Sequence, residues 1–128
     1  MNALRYWLVL PCMAVVLSLI SLAAAAHHGW AWAEDRQENM TGEITEVYVG
    51  PPHPRLKIMT DDGPWQVDLG NPRQTEQAGF TEMSASVGDT IVVRGHRSRN
   101  ADEKLIKAVR ITVDDTEYTF YPGRVVED

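Results

Sequence analysis

Histidines are the residues of this chain whose type and spacing are best suited to chemistry. The 128 residues include four of them: His27, His28, His53 and His96. Neutral imidazole nitrogens are common metal ligands, and nitrogen donors in a tetragonal arrangement suit copper. The four residues are therefore candidate ligands of a copper ion, provided that the fold brings them together.

The adjacent pair His27 and His28 is informative because a predicted cleavage site lies directly before it. Cleavage after Ala26 makes His27 the first residue, so that its α-amine and Nδ1 can chelate one ion. Cleavage one residue earlier places His28 third, where amine, two amides and imidazole can hold Cu(II) or Ni(II) in a square plane. Both cuts predict a copper chelate, although the two geometries differ.

Residues 1–26 have the composition of an export signal. Arg5 supplies a positive charge, residues 6–22 are almost wholly apolar, and residues 23–26 are alanines of the kind that a signal peptidase reads. An uncleaved membrane anchor is the alternative. Lipid attachment at Cys12 is disfavoured, because Pro11 precedes it near the start of the apolar run. We therefore expect a periplasmic or secreted bacterial protein without membrane attachment after cleavage.

The composition of the remaining residues 27–128 excludes several classes of protein. Loss of Arg5 leaves 11 basic residues against 18 acidic ones, and an acidic surface disfavours nucleic acid as a partner. The single cysteine lies in the predicted leader, so no disulfide can form within residues 27–128. Stability must then come from packing, or from packing and a bound metal.

Alternating apolar residues predict a β-rich domain. Residues 27–39 have no clear period and are interpreted as an arm, whereas residues 40–128 contain five or six short alternating segments. Asn71 and Pro72 predict the start of a short helix that Gly79 ends. This order favours a mainly β, five- to six-stranded OB-like Greek-key barrel with one short helix. A generic β-sandwich or an open roll is the alternative.

The predicted barrel relates the histidines to one another. His53 falls between the first two strands, and His96 is predicted to end the fourth strand as the next loop begins. In OB folds these two loops lie at the same rim, so both histidines could meet the arm that carries His27 and His28. The alternatives are adventitious copper binding at the terminus, packing of His53 between prolines, and exclusion of a cation from His96 by Arg94 and Arg97.

A second functional hypothesis rests on aromatic residues. Trp30, Trp32, Tyr48 and Trp65 are interpreted either as anchors of the arm or as a barrel-rim surface for a protein, a glycan or a haem-like ligand. An enzyme is the least favoured class, because the sequence has no nucleophile elbow, zinc-protease motif or phosphate loop. The leading hypothesis is a non-enzymatic binding protein that holds copper, with an unknown protein or small molecule as a further partner.

Short motifs along the chain resemble a family of uncharacterised small secreted bacterial proteins. Members begin the mature part with His-His-Gly or His-His-Ser and continue with short strand and turn motifs. In this sequence the matching segments are His27-His28-Gly29-Trp30, residues 41–47, Pro51-Pro52-His53, residues 65–70, Gly79-Phe80-Thr81, Val87-Gly88-Asp89 and Gly95-His96-Arg97-Ser98.

This resemblance implies export and a shared fold, and it brings no established activity. His27, His28 and His53 match the family pattern best. Two positions depart from it: Pro51 stands where relatives have asparagine, and the position of His96 is often tyrosine in relatives.

Overall fold

A computed structural model of the chain describes residues 29–128. Residues Ala33–Asp128 form one compact unit, to which residues 29–32 do not belong. The predicted leader, His27 and His28 lie outside the described residues. Among residues 29–128, no helix has the length and apolar character needed to cross a membrane.

Between residues 29 and 128, six strands and one α-helix follow one another in the order that the sequence predicts. In chain order they are β1 (Glu38–Tyr48), β2 (Arg55–Thr60), β3 (Gly63–Asp68), α1 (Pro72–Gln77), β4 (Thr90–Arg97), β5 (Leu105–Val113) and β6 (Thr116–Thr119), followed by a 3-10 turn at Pro122–Arg124. β1 begins two residues before position 40, inside the segment interpreted as an arm, because Glu38 and Asn39 already pair with β4.

Strand pairing closes the sheet into a barrel. The order is β3-β2-β1-β4-β5-β6, and a further pairing joins β3 to β5. The β3–β5 pairing is parallel and matches Gln66 with Leu105 and Asp68 with Lys107, whereas the other pairings are antiparallel. A closed five-stranded barrel with the helix between its third and fourth strands confirms the predicted OB-like fold. β6 is an additional strand outside the closed ring.

Apolar side chains from alternate positions of the strands fill the barrel. The fully buried positions include Ile44, Leu56, Ile58, Val67, Ile91, Val93, Ile106 and Ile111. Because side chains alternate across a strand, the residues between these positions face outward. The outer face therefore carries the polar residues that could form a site.

The short helix ends in a way that directs Phe80 into the core. Asn71 caps its start, accepting a hydrogen bond from the Gln74 amide (2.8 Å) while the Gln74 side chain accepts one from the Asn71 amide (3.1 Å). At the other end the amides of Gly79 and Phe80 donate to the carbonyls of Glu76 and Thr75, with Gly79 at φ +79°. This is the Schellman arrangement that glycine permits, and it confirms the predicted role of Gly79.

A β-bulge in β5 sets the register near His96. Arg94 pairs with Arg110, but its neighbour Gly95 pairs with Ala108, so that Val109 is an extra residue in β5. β4 itself is regular: Ile91 and Val93 face the core, and by alternation Arg94 and His96 both lie on the outer face.

Candidate functional site

The structure gives the two described candidate histidines different environments. His53 is exposed in the segment between β1 and β2. His96 is only 7% exposed and lies within β4. The prediction that His96 ends its strand at a loop is wrong, because His96 still pairs with Lys107, and Arg97 with Ile106. The strand thus continues one residue past His96, to Arg97.

The segment before β1 covers His96 and determines its tautomer. Ala33 forms a bridge with Ser98, and the Glu34 amide donates to the Arg97 carbonyl at 2.8 Å. His96 Nδ1 lies 2.7 Å from the Glu34 carbonyl oxygen. A carbonyl oxygen can only accept, so Nδ1 carries the hydrogen and the lone pair of the neutral ring is on Nε2. Metal-binding histidines commonly have this arrangement, in which one ring nitrogen donates to a carbonyl and the other binds the ion.

Polar residues continue from His96 across the outer face. His96 pairs with Lys107, and Lys107 pairs with Asp68 of β3. Cross-strand partners lie on the same face of a sheet, so the three side chains form a row. Tyr121 borders this row, with Lys107 Nζ 5.7 Å from the centre of its ring. Lys107 and Tyr121 could not be predicted as members of this group from the sequence, because the position of Lys107 beside His96 depends on strand register.

Burial changes the acidity of two members of this group. It lowers the pKa of Lys107, an effect that Asp68 opposes and Arg124 reinforces. It also raises the pKa of the Tyr121 phenol, which Arg124 opposes. Both effects follow from removal of the charged form from water. The surroundings of His96 are thus partly desolvated, a condition that strengthens polar interactions.

The same row extends toward His53 but does not join the two histidines directly. Asp68 also pairs with Arg55, which follows His53 by two residues. Positions 55 and 96 are therefore three strand spacings apart, roughly 14 Å around the sheet. Within residues 29–128, no three His, Cys, Asp or Glu side chains group around a common point. Two of the four candidate ligands precede this range, so the four-histidine site stays a prediction.

Two of the four aromatic residues of the second hypothesis, Tyr48 and Trp65, lie in the barrel, and cationic side chains lie over their rings. Trp65 is 4% exposed, and its ring is covered by the Arg97 guanidinium at 4.8 Å and by Lys104 Nζ at 5.2 Å. The ring of Tyr48 has Arg55 at 4.7 Å, and its hydroxyl donates to the Pro51 carbonyl. Trp30 and Trp32 do not belong to the unit that contains the barrel.

A shallow groove lies beside the helix. Its volume is about 450 Å³, and its lining residues are Val49, Pro72, Glu76, Phe80, Thr81, Glu82 and Met83. Met83 is 93% exposed. The groove contains neither His53 nor His96, so it is separate from the candidate metal site.

Fold and site together define a small OB-type barrel protein with a buried, tautomer-defined histidine on its outer face. The chain belongs to a family of unknown function, DUF6152, whose sequence profile matches residues 15–107. No curated protein matches the sequence.

Solved structures resemble the barrel at low identity. One chain of the S. pombe Stn1–Ten1 complex has 15% identity and a TM-score of 0.50, over 61% of this chain and 57% of that one. A ZRD-deleted mutant of TiaS in complex with agmatine has 21% identity and a TM-score of 0.48, over 61% of this chain and 21% of that one. The protein thus spans about a fifth of TiaS, and at 15% identity the likeness to the chain of the Stn1–Ten1 complex concerns the fold alone.

Proposed function

We propose that this protein is an exported, non-enzymatic copper-binding protein whose ligands are His27, His28, His53 and His96. The observation that carries the proposal is the hydrogen bond of 2.7 Å between His96 Nδ1 and the Glu34 carbonyl oxygen. It holds the ring in one orientation, and in the neutral ring the lone pair then lies on Nε2. Imidazole nitrogens are the donors that copper favours, so the residue types fit the ion.

The length of the chain is compatible with shared coordination. His28 precedes Ala33 by five residues, and five residues span at most about 17 Å. Ala33 pairs with Ser98, which is two residues from His96. The proposal requires His28 to lie within about 17 Å of Ala33, which the number of intervening residues permits. His53 lies in the segment between β1 and β2 and is proposed to supply the fourth imidazole.

Export supports the choice of copper, and it is part of the same proposal. A leader at residues 1–26 would place the mature chain in the periplasm or outside the cell, with His27 at or next to its first residue. The α-amine then supplies a further nitrogen, and the tight chelate that results does not require cysteine. In this proposal the barrel is a rigid support, and the histidines hold the ion.

Substitution of His96 by asparagine tests the proposal most directly. Asparagine Nδ2 can take the place of Nδ1 as the donor to the Glu34 carbonyl, but it offers nothing in the position of Nε2. We expect H96N to fold normally and to bind Cu(II) at least about tenfold more weakly, since changes around metal ligands cost 10- to 100-fold. The measurement is Cu(II) titration followed by paramagnetic resonance, on protein exported from a bacterial host and checked by intact mass.

Two further variants separate the ligands from the fold. H27A should change the Cu(II) spectrum and weaken affinity, while thermal unfolding of the metal-free protein stays as in the wild type. H96Q is the matched control. Its side-chain amide lies near the position of Nε2, but it has no N–H in the position of Nδ1 to donate to the Glu34 carbonyl. Unchanged copper affinity in both H27A and H96N would refute the proposed site and leave the accessory-module hypothesis.

A further inference from the structure

The outer face of the barrel holds a second polar arrangement, which neighbours His96 along β4, around the segment of residues 125–128. This segment lies over Arg94 of β4 and Arg110 of β5. The two arginines are direct cross-strand partners, so their side chains emerge side by side on one face. Each binds a carboxylate of the segment.

Arg94 is the buried centre of this arrangement. Its side chain is only 7% exposed. The guanidinium donates to the Val126 carbonyl from Nε (3.1 Å) and Nη2 (2.6 Å). It also donates to both carboxylate oxygens of Asp128, at 2.8 and 3.2 Å, and to the side chain of Asn39 at 3.4 Å. A guanidinium removed from water in this way requires acceptors, because an unpaired buried charge is costly.

Arg110 and Gln37 complete the contacts. Arg110 binds Glu127 through two parallel hydrogen bonds of 2.7 and 3.2 Å, the paired geometry that arginine forms with carboxylates. The Gln37 amide contacts the backbone on both sides: its oxygen accepts from the Val126 amide (3.1 Å), and its nitrogen donates to the Arg124 carbonyl. Gln37 and Arg94 therefore bind the backbone of the segment. Arg94 and Arg110 bind its two adjacent carboxylates.

The side chains of the bound segment are mostly exposed. The side chains of Glu127 and Asp128 are 70% and 81% exposed, and Val126 is 59% exposed. The pair between Arg110 and Glu127 is partly exposed on both sides and contributes little to stability, and Val125 is the one residue of the segment that is not exposed. The guanidinium of Arg94 is thus buried, whereas the carboxylates that the two arginines bind are exposed and can be exchanged for those of another chain.

We propose that Gln37, Arg94 and Arg110 form a docking site for an extended acidic segment of a partner protein, and that residues 125–128 occupy this site in the same chain. A partner is favoured over a second copy for a physical reason. The linked segment competes at an effective concentration in the millimolar range, which an identical segment of another molecule does not reach. A partner segment with the same two carboxylates and additional contacts can displace it.

A peptide-binding experiment with the full-length exported protein tests this proposal. The probes are fluorescein-labelled Arg-Val-Val-Glu-Asp and its neutral match Arg-Val-Val-Gln-Asn, followed by fluorescence anisotropy. The variant E127Q/D128N removes the competing carboxylates while keeping side-chain shape. We expect it to bind the acidic peptide about tenfold more tightly than wild type, since the site becomes accessible in most molecules.

A variant that removes one positive charge tests whether the arginines bind the peptide. Adding R110Q to E127Q/D128N should lower the affinity for the acidic peptide about tenfold, because a pair of charge-assisted hydrogen bonds is lost. R110Q is chosen because Arg110 is partly exposed, whereas replacement of Arg94 risks unfolding. The proposal is overturned if E127Q/D128N binds neither peptide, or binds both equally. Dimers of the wild type at micromolar concentration that disappear in E127Q/D128N would instead identify a second copy as the occupant and overturn the assignment to a partner.

Discussion

Replacement of Phe80 by alanine is expected to lower the free energy of unfolding by about 3–5 kcal/mol, the range measured for large aromatic residues in cores. Phe80 is 1% exposed and closes the barrel between the helix and β6. Its ring meets Tyr118 edge to face at a centroid distance of 5.1 Å and Phe120 at 6.2 Å. The substitution removes both contacts and leaves a cavity that rigid strands cannot fill.

Urea unfolding followed by tryptophan fluorescence measures this effect. The matched control is Met83→Ala, three residues away, where the side chain is 93% exposed and the expected change is within about 0.5 kcal/mol. A small domain has a total stability of only about 5–15 kcal/mol, so F80A is expected to be partly unfolded at 37 °C. Equal midpoints for F80A and M83A would contradict the packing role given to Phe80.

Local signals in the sequence were sufficient to predict the elements. Asn71, Pro72 and Gly79 predicted the helix because capping and a left-handed C-terminus depend on neighbouring residues only. The alternation around Trp65 and Val67 and around Ile91 and Val93 predicted strands for the same reason. Barrel closure through β3 and β5 could be expected only from the order of the elements, since the parallel pairing joins residues some 40 positions apart.

The candidate sites were less accessible to prediction. His96 could be singled out by its residue type, but its burial and its bond to the Glu34 carbonyl depend on the bridge between Ala33 and Ser98. The site around Arg94 and Arg110 left no sequence signal. Those arginines meet only because a bulge at Val109 sets the register, and register is a property of the folded sheet.

Gly95 lies between the two candidate sites, which are centred on His96 and Arg94. Its replacement by alanine adds one methyl group and is expected to destabilise β4 strongly. A Cβ at this position would lie 2.3 Å from the Lys107 carbonyl oxygen and 2.9 Å from the Lys107 carbonyl carbon. Both are backbone atoms of the paired strand, so they cannot move aside as a side chain would. We expect a loss of about 3 kcal/mol, the upper part of the range for overpacking, and a fall in melting temperature of more than about 10 °C.

Because Gly95 lies between Arg94 and His96, the strand displacement caused by G95A should also weaken Cu(II) binding and release residues 125–128. The control is G123A, where a Cβ meets nothing within 4 Å. Thermal unfolding, copper titration and peptide anisotropy on the two variants separate the effects, and G123A should match wild type in all three. If G95A and G123A have the same melting temperature, β4 and β5 can accommodate a methyl group at position 95. Close packing at Gly95 then does not orient His96 and Arg94. If G95A is destabilised but keeps wild-type copper affinity, the fold argument stands and His96 is not a ligand.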